Sequence, residues 1–275
     1  MTFELLVSCV QKDARELIAH MNISSDAVIV SQLEDKESEE ILVLESKDHS
    51  SRKIKYYKLT SKGVGLNRNT CLEKSTADIV LFSDEDILYT APYEACVLQE
   101  FEDHPEADII LFNIRVCEER RTYWNSDYKR VRWYNCGRYP AYAIAARADK
   151  LKAAGIKYSH LFGGGAKYSN GEDSLFLMDC LKAGLRLMAT PTVLGEEIPR
   201  PSTWFNGYND KFFYDRGVLY RCLYGKMAKI FGLRWLLKMK PKFSGEYPYD
   251  KARKLLFQGI KDGATSLMFP ATTIK

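Results

Sequence analysis

No Cys-x-x-Cys pair occurs in the chain, and its seven cysteines, at 9, 71, 96, 117, 136, 180 and 222, are odd in number. Both features argue against a disulfide framework and against a structural zinc site. Cys9 in LLVSCV and Cys96 in EACVL stand in apolar runs, the setting of buried free thiols, so the cysteines read as core residues in a reducing compartment. Glycine, at 17 residues, and proline, at 9, are too few for a collagenous or low-complexity chain, and there is no internal repeat. No window approaches the ~20 apolar residues of a spanning helix. Met1 to Val10 lacks the basic stretch and the long apolar core of a signal peptide. The expectation is a cytoplasmic chain, attached to a membrane at most by its surface. Nothing in the sequence speaks to oligomeric state.

What is present suits one large α/β domain, or a domain with a substantial extension: 275 residues, 46% apolar and 28% charged. The net charge of +4 hides an asymmetry. From Pro199 onward there are 15 basic and 5 acidic residues, against 25 and 31 before it. An acidic body with a basic end is not the layout of a nucleic-acid binder, and it suits a C-terminal part that meets an anionic surface.

Along the chain, strand and helix patterns alternate. FELLVSCV (3–10) and DAVIVSQ (26–32) read as strands flanking a short helix over 13–21, and ILVLES (41–46) and IKYYKL (54–59) as two more. The glycines of 61–76 open a helix, and 78–89 is a strand running into an acidic turn. Helix 92–104 begins on a proline, and 107–116 is again a strand. Residues 117–142 have no clean period and read as irregular. A strand and helix over 143–156, a Gly-rich loop over 161–170 and a helix over 171–187, stopped by Gly184, complete a pattern of βαβ units with a largely parallel sheet. The composition changes after Pro199, which predicts a domain over 1–198 and a basic, aromatic, helical extension over 199–275.

Three motifs carry chemistry. Asp84-Glu85-Asp86 follows the apolar strand Ile79–Phe82, and ligands of parallel sheets bind beyond the carboxyl ends of the strands. Carboxylates there suit a hard divalent cation that neutralises a diphosphate, although acidic triplets are often merely solvated. Glu172-Asp173 opens a helix, where acids also simply favour the helix dipole. A carboxylate so placed can serve as general base, and Gly163-Gly164-Gly165 just upstream would let backbone approach a ligand. Lys62-Gly63-Val64-Gly65-Leu66-Asn67-Arg68 lacks the third glycine of a dinucleotide fingerprint, which argues against a nicotinamide enzyme. Its Arg and amides still suit a pyrophosphate.

In combination, GLNRNTCLEKSTADIVLFSDEDILY and NGEDSLFLMDCLKAGLRL resemble glycosyltransferase family 2, the inverting enzymes of GT-A fold. LLVSCVQKD, NISSDAVIVSQ and STWFNGYNDKFFYDRG resemble its bacterial capsule and exopolysaccharide members, so that the likeness spans roughly 3–220. The resemblance implies a Rossmann-like nucleotide-binding half with a mixed, mostly parallel sheet. It also implies a nucleotide-diphosphate-sugar donor, with a UDP-sugar favoured, and a glycan or polyprenyl-linked acceptor. Asp173 would be the base and Glu172 would orient the base or the acceptor. Asp86 and Asp84 would hold Mn²⁺ or Mg²⁺ and the donor. Arg68 would touch the nucleotide, Val7 and Ser8 would line the base pocket, and Lys62, Gly65, Glu85, Gly164 and Gly165 would complete the donor site. Two departures stand out. Ser31-Gln32 replaces the acid that usually reads the base, where Gln32 would bind the donor by pairing its amide with uracil, and residues 190–203 lack the His that often serves as a further metal ligand. The rival readings are a nucleotidyltransferase, which needs an early Gly-rich loop that SCVQKDAREL lacks, and a catalytically silent nucleotide-sugar-binding protein.

Residues 208–242 interleave nine basic residues with Phe212, Phe213, Leu219, Leu223, Ile230, Trp235 and Leu236. Two expectations stay open: a helical cap, favoured for Phe212 to Leu223, and a helix on the inner face of the plasma membrane, favoured for Lys226 to Lys242.

Overall fold

The mostly apolar run at the start becomes an inner strand. β1 (Phe3–Val10) is buried almost throughout, because both of its faces are covered. It pairs in parallel with β2 (Ala27–Gln32) and with β5 (Ile79–Asp84). β4 (Ser51–Lys58) continues parallel beyond β2, and β3 (Ser38–Glu45) closes that edge antiparallel. On the other side β9 (Ile144–Arg147) runs antiparallel between β5 and β7 (Ile109–Arg115), and β10 (Leu187–Glu197) runs parallel to β7. β6 (Ile87–Tyr89) and the short β8 (Lys129–Arg130) both pair antiparallel with β10. The result is one ten-stranded sheet, ordered β3-β4-β2-β1-β5-β9-β7-β10-β6, in which six strands point the same way. The α/β class with a mixed, mostly parallel sheet is the one expected from the sequence.

These coordinates come from a computed structural model, which describes residues 1–45, 51–90, 92–199 and 207–266. Strand alternation sorts the core. Leu5, Val7 and Cys9 face one side, with Leu17 and Ile18 of α1 (Ala14–His20) and Val97 and Phe101 of α3 (Tyr93–Asp103). On the opposite face lie α2 (Val64–Lys74), α4 (Ala148–Ala153) and α5 (Glu172–Lys182). There Phe82 of β5 meets Tyr158 and Phe176 edge-on at 5.3 and 5.6 Å, and those two rings stack at 4.1 Å, fixing α5 against the strand that ends in Asp84. Cys9, Cys71, Cys136 and Cys180 are buried, and burial pushes the Cys9 thiol up to about 12, whereas Cys96, also expected in the core, and Cys222 are half-buried and Cys117 is exposed.

Two local expectations change. The helix predicted over 171–187 ends at Lys182, and Leu187 opens β10 instead. Pro191 offers no amide to a ladder, and the β7–β10 register shifts around it, which hid this strand from pattern reading. The stretch after β7 is irregular, as expected, and is pinned by amides. Asn113 Nδ2 donates to the carbonyls of Asn125 and Pro191 (2.9 and 3.0 Å), and Asn125 Nδ2 donates to that of Leu111 (3.0 Å).

The described residues of Met1–His160 and Glu172–Pro201 form one compact unit, which contains the whole sheet, and those of Leu161–Gly171 and Ser202–Lys275 form a second. The Gly-rich loop therefore groups with the basic C-terminal part, where the sequence suggested a single cut between 198 and 199. The second unit is built on α6 (Asp210–Tyr224), α7 (Ala228–Phe243) and α8 (Tyr249–Ser266). Phe213, Phe243, Tyr247 and Leu256 form its core. α6 and α8 cross at glycines: a Cβ on Gly217 would stand 2.1 Å from the Leu256 carbonyl oxygen, and one on Gly259 2.1 Å from that of Tyr214.

Candidate active site

β1 and β5 end side by side, with Ser8 registered against Asp84. β2 ends beside them at Gln32, registered with Val10. α2 then starts immediately after Gly63, whose amide donates to Gln32 Oε1 at 2.8 Å. Its first turns therefore lie over the carboxyl ends of the parallel strands, where the fold leaves room for a ligand. Gly65 is required there by packing: a Cβ would meet the Ser159 carbonyl oxygen at 2.3 Å. Asn69 ties the same segment down, accepting from the Tyr158 amide at 2.7 Å and donating to the Tyr158 carbonyl at 2.9 Å.

Arg68 is the centre of the site. It is 3% exposed and lies 5.2 Å from the Tyr158 ring centroid. Its guanidinium donates to Asp84 Oδ1 through Nη2 (2.8 Å), and to Asp173 Oδ1 (2.8 Å) and Glu172 Oε1 (3.1 Å) through Nη1. The three carboxylates come from a strand end and a helix start more than eighty residues apart. Burial works against the guanidinium charge, but Asp84 and then Asp173 more than restore it and hold Arg68 firmly protonated. Burial first, and then the charge of Glu172, push Asp173 up to about 8, while Arg68 pulls the other way. A carboxyl with such a value can exchange a proton near neutral pH.

The remaining sequence-predicted residues fall as follows. Asp86 is 7% exposed, and its carbonyl accepts from the Ile198 amide at 2.7 Å, linking the acidic turn to the end of β10. Glu85 Oε2 accepts from the Val10 amide at 2.9 Å, so this acid closes the end of β1. Val7 is wholly buried among the apolar residues under α1 and α3, and its side chain faces core. Ser8 points to the opposite face, the side of α2. Lys62 is exposed just before α2. Gly164 and Gly165 belong to the second unit, in a turn closed by the Gly163 amide donating to the Tyr168 carbonyl (2.9 Å).

Sequence reading missed three neighbours. Tyr158 backs Arg68, and its signal was only an isolated aromatic before the glycine loop. Tyr142 lies near the acidic turn, and its hydroxyl is pushed up by burial, by Tyr123 and by the charges of Glu197, Asp84 and Asp86. Glu34, two residues past Gln32, turns back to accept from Ser31 Oγ, which puts a carboxylate at the end of β2 after all. As donors for a hard cation, Asp84 and Asp86 have the right chemistry. Among the described residues no group of three His, Cys, Asp or Glu gathers to hold a metal, so a cation here also needs oxygens from the ligand it accompanies.

The Glycosyl transferase family 2 profile matches residues 26–161. No curated protein sequence matches the chain. Among solved structures, residues 1–349 of S. aureus TarS in complex with UDP-GlcNAc align with a TM-score of 0.64 at 14% identity, covering 97% of this chain and 81% of that one. The same protein in complex with UDP aligns at 0.59 and 14%, covering 97% and 83%. At this identity the likeness is one of fold.

Proposed function

We propose that the chain, whose residues 26–161 match the glycosyltransferase family 2 profile, moves a sugar from a nucleotide-diphosphate donor to a hydroxyl of a glycan or polyprenyl-linked acceptor, with inversion. The single observation that carries this reading is the gathering of Asp84, Glu172 and Asp173 around buried Arg68 at the carboxyl ends of parallel strands. The fold neighbours in complex with UDP-GlcNAc and UDP support a UDP-sugar as the donor. Asp173, with its carboxyl raised toward neutrality, takes the proton from the acceptor hydroxyl as that oxygen attacks the anomeric carbon. Glu172, on the same guanidinium nitrogen, orients it. One carboxylate acting in proton transfer suffices, because the nucleotide diphosphate leaves without needing a proton. Arg68 sets the charge that the site presents to a departing phosphate. A Mn²⁺ or Mg²⁺ ion held by Asp86 and Asp84 together with the diphosphate would neutralise charge on the leaving group.

We place the reaction in bacterial surface-polysaccharide synthesis at the inner face of the plasma membrane. Among the described residues no helix is long and apolar enough to cross a membrane, so this reading requires surface attachment. Purified protein offered a panel of nucleotide sugars, with and without Mn²⁺, should release free nucleotide when a suitable glycan acceptor is present. Asp173→Asn should abolish that release. A protein that binds the donor yet never turns over with any acceptor would make it a silent binding protein.

A further inference from the structure

The outer face of α7 exposes apolar side chains that the core of the second unit does not use. Its inner face is accounted for, since Ala228, Gly232, Leu236 and Phe243 are buried. Ile230 (66% exposed), Leu233 (36%) and Leu237 (55%) align on the outward side of the helix at i, i+3 and i+7. Met227, 48% exposed, stands just before the helix. Helical spacing puts Lys229 and Lys240 along one flank of this stripe and Arg234 and Lys238 along the other, all four exposed. α7 contains no acidic residue. Lys229 also borders an open groove of about 890 Å³ that continues onto α6 and α8, where Arg221, Arg253, Lys254 and Lys261 line it against a single acid, Asp250.

We infer that α7 and the adjoining groove form a docking surface for an anionic lipid bilayer, with Ile230, Leu233 and Leu237 entering the headgroup boundary and the groove taking lipid phosphates. The stripe is apolar where water would otherwise be, and the cations beside it match negatively charged headgroups. A second copy of the chain is a poor occupant, because two such faces would bring their lysines and arginines together without acids to meet them. The geometry also narrows the sequence expectation. Phe212, Phe213 and Trp235 pack inside the second unit, and Arg216 lies over the Phe212 and Trp235 rings, so α6 does not present its aromatics to lipid. The inference deepens the reading of an enzyme acting at a membrane, yet it is tested without any sugar transfer, so the two can fail separately.

The experiment is co-sedimentation of the full chain with phosphatidylcholine vesicles, with and without phosphatidylglycerol, at several salt concentrations. Binding should require the anionic lipid and fall as salt rises. Leu237→Glu should reduce it at least tenfold. Lys229→Gln and Lys254→Gln should each cost about fivefold, as expected for one cation near a charged surface. Circular dichroism melts and donor binding should be unchanged in all three, since these residues are exposed and outside the candidate active site. Negligible or equal binding to neutral and anionic vesicles would overturn the inference. So would a chain that dimerises in solution, fails to bind vesicles and becomes monomeric on Leu237→Glu, because a second copy would then own the face.

Discussion

Arg68 faces three carboxylates with one positive charge, in a position almost closed to water. Replacing it with methionine leaves those acids without a partner, and loss of one member of such a cluster costs about 3 kcal/mol or more. A urea melt of Arg68→Met should show that loss, and a variant as stable as the parent would mean that the cluster is solvated and weak. Asp173→Asn should behave differently, removing transfer while nearly sparing donor affinity, because a base acts on the acceptor. Near-normal turnover would move the base to Glu172. The raised Asp173 carboxyl also sets a pH profile. Since the deprotonated form is the base, turnover should climb about tenfold per pH unit below about 8 and then level. A rate flat from pH 6 to 9 would count against Asp173. Stability runs the other way: the folded chain holds a proton that the unfolded chain releases near pH 4. That contribution is full below pH 4 and lost as pH rises through about 8. Asp173→Asn should therefore show a smaller fall in melting temperature across this window.

Among the elements, the crossing of α6 and α8 depends on backbone contact. Gly259→Ala would drive a methyl to 2.1 Å from a carbonyl oxygen in a helix with no freedom to retreat. Overpacking of this kind costs roughly 1–3 kcal/mol, and denaturant melts monitored in the second unit should register it. An unchanged melt would mean that the two helices slide apart without penalty. The sheet offers a different lesson. β1, β2, β5 and β7 are largely apolar runs and were readable, because a strand covered on both faces leaves few polar positions. β10 was not, since its proline and register shifts break both the run and the alternation. α5 was readable at its acidic start, whereas its end was overestimated because Leu185 and Leu187 extend the helical spacing beyond Gly184.

For the whole molecule, ligand binding is the most direct probe. A donor that binds only the folded chain raises its stability by about 2.7 kcal/mol at a hundredfold excess over Kd. A UDP-sugar with Mn²⁺ should therefore raise the melting temperature, EDTA should shrink the shift, and Asp86→Asn should remove it. An equal shift in EDTA would take the cation out of the reaction. The division of the chain also belongs to this scale. Ser169 donates its amide to Asp215 at 2.9 Å, and Lys211 donates to the Lys167 carbonyl at 2.6 Å, so the second unit recruits a segment far away in sequence. A change of composition after Pro199 marks a boundary but cannot reveal such recruitment.

Composition and order by themselves determined the α/β class, the strands under the site, and the two acidic motifs that face it. Burial forces those strands to be apolar, and ligand chemistry demands carboxylates at their ends, so both leave local traces. The tertiary structure alone decided that Arg68 joins Asp84 to Glu172 and Asp173, that Gly65 serves packing, and that Glu34 returns to the end of β2. It also decided which of the C-terminal apolar residues turn outward. In each case the partner lies across a fold crossing or around a helix, and one-dimensional spacing does not carry the direction in which a side chain points.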